Sequence, residues 1–482
     1  MKFITILKNK FLDIPQSVKV SIILLICGIL QRGISVITTP IFTRLLNTSE
    51  YGQYSLYTSW STILIIFITL NLSSGVYTQG YVKFDENKDK FTSSLIGLTV
   101  LIVFFTYIIY LLGISFWNNL FDLNTVTMNC MFISLLFSSI FGFWEAQQRV
   151  NLKYKMYVVV TLSVALLKPI LGIISIFLFP SYKVEARIMS ITIVEVIVYL
   201  IPIISLVKKS KIFYDQFFWI YALKFNIPLI PHYLSQSILS QSDRIMISKY
   251  CSSSDVGIYS LAYSLSMLLT IVNNAIINIL SPWIYKCIKD KNLKNIGTNS
   301  YYILLLVAIL NLLLILVAPE IVTIFAPKSY QSAIWVIPPV AMSVYFMFMY
   351  TLFANFSFYF EKTTLIMIAS AIAAFANVVL NSIFIPRFGY VAAAYTTLVC
   401  YILFDFFHYL LMKNICKNYL ENYQAYDAKI ILLISCIFVF ISFVFMTLFK
   451  MVIIRYLLVI VVLIFIFIYR NKISVIIKQT KN

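Results

Sequence analysis

From residue 18 to residue 469 the chain is a succession of apolar runs, most about 20 residues long, separated by short polar stretches. A helix of about 20 residues rises roughly 30 Å and satisfies its backbone hydrogen bonds internally, which is what a segment crossing lipid must do. Hydrophobic residues make up 61% of the 482 and charged residues 11%, too little polar surface for a soluble protein of this length. The chain therefore reads as an all-α polytopic membrane protein. About fourteen spans are expected, near 18–40, 53–77, 92–116, 125–146, 155–179, 187–207, 226–248, 256–282, 300–319, 333–360, 364–385, 391–412, 430–448 and 452–469.

The net charge of +19 would point to a nucleic-acid partner in a soluble protein. Here the cations sit in the loops and alternate by side. With the N-terminus inside, the inner segments hold 26 Lys and Arg and the outer ones 8, with three cations left inside spans. That asymmetry predicts an N-in, C-in topology and no role for nucleic acid. The basic N-terminal segment leads into a long span without a small-residue cleavage site, and reads as a cytoplasmic tail. The seven cysteines are scattered without a metal-ligand spacing, so neither a metal nor a disulfide is expected. No Gly-rich phosphate loop, cofactor motif or nucleophile–base pattern occurs, and no loop is long enough for a catalytic domain. A transporter is expected rather than an enzyme.

One phrase occurs twice. EYGQYSL at 50–56 and DVGIYSL at 255–261 align at an offset of 205, pairing Gly52 with Gly257 and Tyr54 with Tyr259. Both copies fall in the outer loop between the first and second helix of a six-helix set. A weaker echo links IFLFPSYKVEA (176–186) to IFIPRFGYVAAA (383–394), between the fifth and sixth helices. Two parallel halves follow: 1–207, a cytoplasmic linker 208–225, and 226–412, with two further helices and a tail over 413–482. The repeated phrase itself reads as structural. Its acid suits a helix N-terminus and its glycine suits close packing.

RGISVITTPIFTRLLNTSEYGQYSLY, SDRIMISKYCSSSDVGIYSLAYSLS and LNSIFIPRFGYVAAAYTTL resemble the polysaccharide transporters of the MOP superfamily. That group includes the Wzx-type O-antigen flippases, relatives of the MATE exporters and the lipid II flippases. The resemblance covers about residues 20–412 and implies a MATE-like, two-lobed helical fold in a bacterial cytoplasmic membrane. It further implies transfer of an undecaprenyl-pyrophosphate-linked oligosaccharide, of O-antigen or capsule type, from inner to outer leaflet. Membrane lipids and other glycan-assembly membrane proteins are the partners it implies. A MATE-like small-molecule antiporter is the alternative. A membrane glycan polymerase fits less well, because a large outer loop is lacking.

Charges inside a bilayer are costly and mark cavities or partners. Arg32 lies in span 1, with Ser35 and Thr39 on the same helical face. Span 7 carries His232, Gln236, Ser240 and Asp243 at helical spacing, then Arg244. Span 5 carries Lys168 beside Pro169. A central cavity lined by Arg32, Lys168 and Arg244 would suit a pyrophosphate and a hydroxylated glycan, with Ser35, Gln236, Ser240 and Asp243 as polar lining. Arg244 could instead pair with an acid, and Lys168 could snorkel. The buried acids Glu195 and Asp405, the latter three residues before His408, are candidates for proton coupling together with His232. Salt bridges to the buried cations are equally consistent with the pattern. Asn273, Asn274, Asn278, Asn377 and Asn381 are expected to bond between helices.

Overall fold

Residues 16–479 are described by a computed structural model, and no strand occurs among them. The basic segment 1–15 of the expected cytoplasmic tail lies outside the described residues. The helices are α1 (Gln16–Leu45), α2 (Thr48–Ile68), α3 (Val76–Lys83), α4 (Lys88–Leu112), α5 (Ile114–Phe121), α6 (Thr125–Val150) and α7 (Tyr154–Leu178). Next come α8 (Lys183–Val207), α9 (Gln216–Asn226), α10 (Ile230–Tyr250), α11 (Ser253–Ser266), α12 (Leu269–Lys289) and α13 (Lys294–Leu316). The last are α14 (Ala318–Phe325), α15 (Ile337–Tyr359), α16 (Thr363–Phe388), α17 (Tyr390–Tyr419), α18 (Ala428–Thr447) and α19 (Val452–Gln479).

Each expected span overlaps helix, although 53–77 runs past the end of α2 at Ile68, and among the described residues eleven segments are long and apolar enough to cross a membrane on composition alone. α2 and α10 fall short because they are dense in Ser, Thr and Gln, and α10 adds Asp243 and Arg244. Among the described residues α19 contributes the apolar stretch Val452–Ile464. Large apolar side chains such as Phe104 and Phe105 remain over 60% exposed, which is the surface a lipid-facing helix presents.

The chain divides into two compact units. The first comprises residues up to Leu46 with Leu56–Leu234, and the second Asn47–Ser55 with residues from Ser235 onward. In the first, α6 lies at the centre against α4 and α8, α8 packs along α7, and α7 packs on α1. Phe42 of α1 is held between Gly172 of α7 and the Arg187 guanidinium of α8, which stacks 3.6 Å from the ring centre. In the second, α15 is the buried centre, packed on α13 and α17, with α17 along α16. The same third–fourth, fourth–sixth and fifth–sixth packings therefore recur in both. The third helix of each set is also followed by a short helix of eight residues, α5 or α14. The weaker sequence echo falls on the α7–α8 and α16–α17 junctions, where Gly389 adopts φ +73°.

The repeated phrase starts α2 and α11, and both starts are built alike. The Asn47 amide group donates to the Glu50 carboxylate at 2.8 Å while the Glu50 amide donates to the Asn47 side chain at 2.8 Å. Ser252 and Asp255 repeat the arrangement: the Asp255 amide donates to the Ser252 hydroxyl at 3.2 Å, and that hydroxyl donates to the Asp255 carboxylate at 2.6 Å. Asn47–Glu50 is a capping box, Ser252–Asp255 makes its cap-to-amide half, and in each the phrase's acid stands three residues after the cap. A Cβ on Gly52 would overlap the Ser253 carbonyl, and one on Gly257 would overlap the Thr48 carbonyl. Ser254 and Thr48 hydroxyls bond at 2.6 Å beside this contact.

Segment 208–225 is more than a connection. Asp215 caps α9 by accepting from the Phe218 amide, and pairs with Lys90 of α4 at 2.7 Å. Trp219 donates to the Ser94 carbonyl at 2.9 Å, and Phe218 is buried against Phe84 and Phe91. The last two helices are likewise built into the second unit. Ser435 of α18 bonds the buried Tyr345 hydroxyl of α15 at 3.0 Å. Arg455 of α19, 2% exposed, makes a bidentate pair with Glu320 of α14 at 2.7 Å and donates to the Leu316 carbonyl.

Candidate functional site

The densest polar cluster in the second unit is centred on Asp243 of α10, whose side chain is wholly buried. Its carboxylate accepts from the Tyr259 hydroxyl at 2.5 Å, the Asn381 amide at 2.7 Å and the Thr397 hydroxyl at 2.8 Å. Ser242 donates to Asn377 at 2.6 Å, and Asn381 donates to Asn377 and accepts from Thr396. Asp243 thus ties α10 to α11, α16 and α17. Burial of a charge is tolerable when several donors replace its water. Asn377 and Asn381 bond between helices as expected, and Asn273 does so through the Val344 carbonyl.

Arg244 makes no ion pair with Asp243. Adjacent helical residues point about 100° apart, and its guanidinium turns toward α11. It donates to the Ser260 hydroxyl at 3.2 Å, the Ser240 carbonyl at 2.9 Å and Gln241 at 3.3 Å, and stacks 4.4 Å from the centre of the Tyr263 ring. The span 7 stripe does not share one environment: Gln236 is exposed, His232 and Ser240 are half-buried and Asp243 is enclosed. Tyr259, one of the repeated residues, belongs to the Asp243 cluster. In the first copy the position aligned with Asp243 is Thr38.

In the first unit Lys168 and Glu195 form a salt bridge at 2.6 Å across α7 and α8, so each neutralises the other. Arg32 is different. It is exposed midway along α1, and no hydrogen bond or ion pair engages it among the described residues. Ser35 is exposed on the same face, its carbonyl accepting from Thr38 and Thr39. Asp405 of α17 is buried with both carboxylate oxygens unpartnered, and both ring nitrogens of the buried His408 are likewise unpartnered. His408 is flanked by Phe404 and Tyr350 rings. No group of three or more metal-ligating side chains occurs among the described residues.

The sequence profile of the family described as polysaccharide biosynthesis protein matches residues 17–288, more than half of the chain. The chain belongs to that family. A second profile, described as MatE, matches residues 228–383. "Lsg locus putative protein 1" of Haemophilus influenzae is 21% identical over 364 residues, 72% of this chain and 86% of that protein. Among solved structures, the lipid II flippase MurJ in an inward closed conformation matches with a TM-score of 0.71 at 18% identity, over 93% of this chain and 99% of that one. An inward-facing multidrug resistance MATE transporter of the MOP superfamily matches with a TM-score of 0.63 at 11% identity, over 80% and 96%. This member of the polysaccharide biosynthesis family is therefore a multi-pass helical membrane protein with the MATE-like fold of the MOP superfamily.

Proposed function

We propose that the protein carries an undecaprenyl-pyrophosphate-linked oligosaccharide, of O-antigen or capsule type, from the inner to the outer leaflet of a bacterial cytoplasmic membrane by alternating access. Membership of the polysaccharide biosynthesis family carries this reading. The exposed, unengaged Arg32 supports it, because a cation inside a span is costly unless something anionic meets it. A diphosphate bridge meets that need, and Arg binds it bidentately. Arg32 contacts the cargo diphosphate, and the Lys168–Glu195 pair of the same unit is a secondary polar contact. Cells lacking the protein accumulate lipid-linked repeat units on the inner leaflet. Units that reach the outer face unpolymerised in such cells would refute the reading.

Transport coupled to protons is part of the proposal, with Asp405 as the coupling carboxyl. It is buried without a hydrogen bond, whereas Asp243 has three donors and Glu195 has Lys168. Tyr345 and Tyr350 of α15 are its titratable neighbours across the helix interface, and His408 is on its own helix. In proteoliposomes a pH gradient accelerates flipping by the wild type and not by Asp405→Asn. Indifference of the wild type to the gradient returns Asp405 to a structural role. The MatE match over residues 228–383 favours a second reading, a small-molecule antiporter. Export of a cationic dye by the purified protein, with no movement of lipid-linked saccharide, would select it.

A further inference from the structure

An open cleft of about 700 Å³ lies on the first unit between α3 and α9. Thr78, Gln79, Val82 and Lys83 of α3 form one wall, and Tyr221 and Phe225 of α9 form the other. The four α3 residues are exposed, yet the helix itself is held firmly by its opposite face. There Tyr77 is fully buried and bonds Thr92 and Gln147, and Tyr81 accepts from Asn151 at 3.0 Å. Gly80 admits the Phe91 ring where any side chain would collide. The α9 wall is fixed by Trp219, Phe218 and the Asp215–Lys90 pair. The cleft thus stands on packed helices, with the exposed Thr78, Gln79, Val82 and Lys83 lining one side.

Lys83 lies 5.1 Å from the centre of the Tyr221 ring and 5.6 Å from that of Phe84, and no acid pairs with it among the described residues. The nearby Asp85 is engaged by Lys88 at 2.9 Å. A cation, two aromatic planes, a hydroxyl and an amide are the groups that meet a sugar diphosphate. The ammonium takes the phosphate, the rings take the apolar face of a pyranose, and Thr78 and Gln79 take its hydroxyls. The charge pattern assigns this lysine-rich side to the cytoplasm, where such a cargo is made.

We propose that the α3–α9 cleft is a loading site for the saccharide-diphosphate head of the lipid-linked cargo, occupied before the cargo reaches Arg32. The inference rests on the flippase reading. The full-length protein in phosphatidylcholine nanodiscs is titrated with a fluorescent polyprenyl diphosphate carrying one N-acetylhexosamine. Flipping of the same probe is followed in proteoliposomes. Lys83→Gln and Tyr221→Leu each weaken binding about tenfold and slow flipping at low probe concentration, and Lys83→Gln does so with thermal stability unchanged. Arg32→Ala loses the flipping, and the probe binding it retains is weakened further by adding Lys83→Gln. Wild-type binding in both cleft variants overturns the loading site while leaving the flippase reading intact. Displacement of the probe by phosphatidylglycerol at equal concentration assigns the cleft to bulk anionic lipid and also overturns it. A wild type that binds the probe at the cleft but never flips it refutes the flippase reading instead.

Discussion

At the scale of single residues, two kinds of buried or intramembrane charge separate cleanly. Asp243 is a structural charge, because three donors from three other helices converge on it. Asp243→Ala leaves those donors without an acceptor, at about 1–3 kcal/mol for each one that stays dry. The expected outcome is a large fall in the thermal unfolding midpoint in detergent. Arg32 makes no bond that its loss would break. Arg32→Ala is expected to leave the unfolding midpoint within about 0.5 kcal/mol of wild type, as surface substitutions do, yet to abolish surface glycan. Arg32→Lys restores part of the transport, since a point charge replaces a bidentate donor. Gly257→Ala tests the close contact differently. Its methyl meets the Thr48 carbonyl, a backbone atom that cannot rotate away, and about 1–3 kcal/mol of overpacking follows. Unfolding of the purified variant monitored by circular dichroism reads that loss.

At the scale of elements, the long helices were legible in the sequence because apolar length is a local signal. The partners of Asp243 were not, since Asn381 and Thr397 lie 138 and 154 residues away. One signal was available: Asp243 and Tyr259 stand eight residues either side of Cys251, where α10 turns into α11, so an antiparallel hairpin must bring them level. The short helices α5, α9 and α14 were missed because eight to eleven residues are too few to stand out from loop. α9 carries its own pH signature. The hydrogen bond from Lys90 holds the Asp215 carboxyl below its usual range. A depressed acid stabilises while ionised, so docking of α9 is constant from neutral pH down to the ordinary carboxylate range. It loosens as the pH falls through that range toward the depressed value. Hydrogen exchange of the 216–226 amides against pH measures it; loosening already near pH 6 would contradict the pairing. For α19, Arg455→Ala leaves Glu320 without its partner and costs about 3–5 kcal/mol, seen as protease sensitivity of the C-terminal helix. Replacing both Arg455 and Glu320 with Met recovers most of that loss, which a double-mutant cycle resolves.

At the scale of the whole molecule, the two sets of helices share a packing plan but not their charges. Among the described residues the Lys168–Glu195 pair, the Asp243 cluster and the unpartnered Asp405 each occur once. A transporter needs this combination: a repeated frame that can adopt more than one arrangement, and unrepeated polar groups that make those arrangements unequal. The terminal pair α18–α19 looked like an addition from its position in sequence. Tyr345–Ser435 and Arg455–Glu320 make it part of the second unit, so truncation after residue 412 is expected to abolish stable membrane expression. An immunoblot of membrane fractions decides that. The two copies of acid-x-Gly-x-Tyr-Ser-Leu began as a hint of repetition, and in the fold they touch, glycine beside glycine, each lying against the other's backbone. A contact of this kind is self-matching, as in a symmetric dimer. Doubling a gene that held one such phrase would therefore have supplied both faces of the joint in a single event, with no second surface left to evolve.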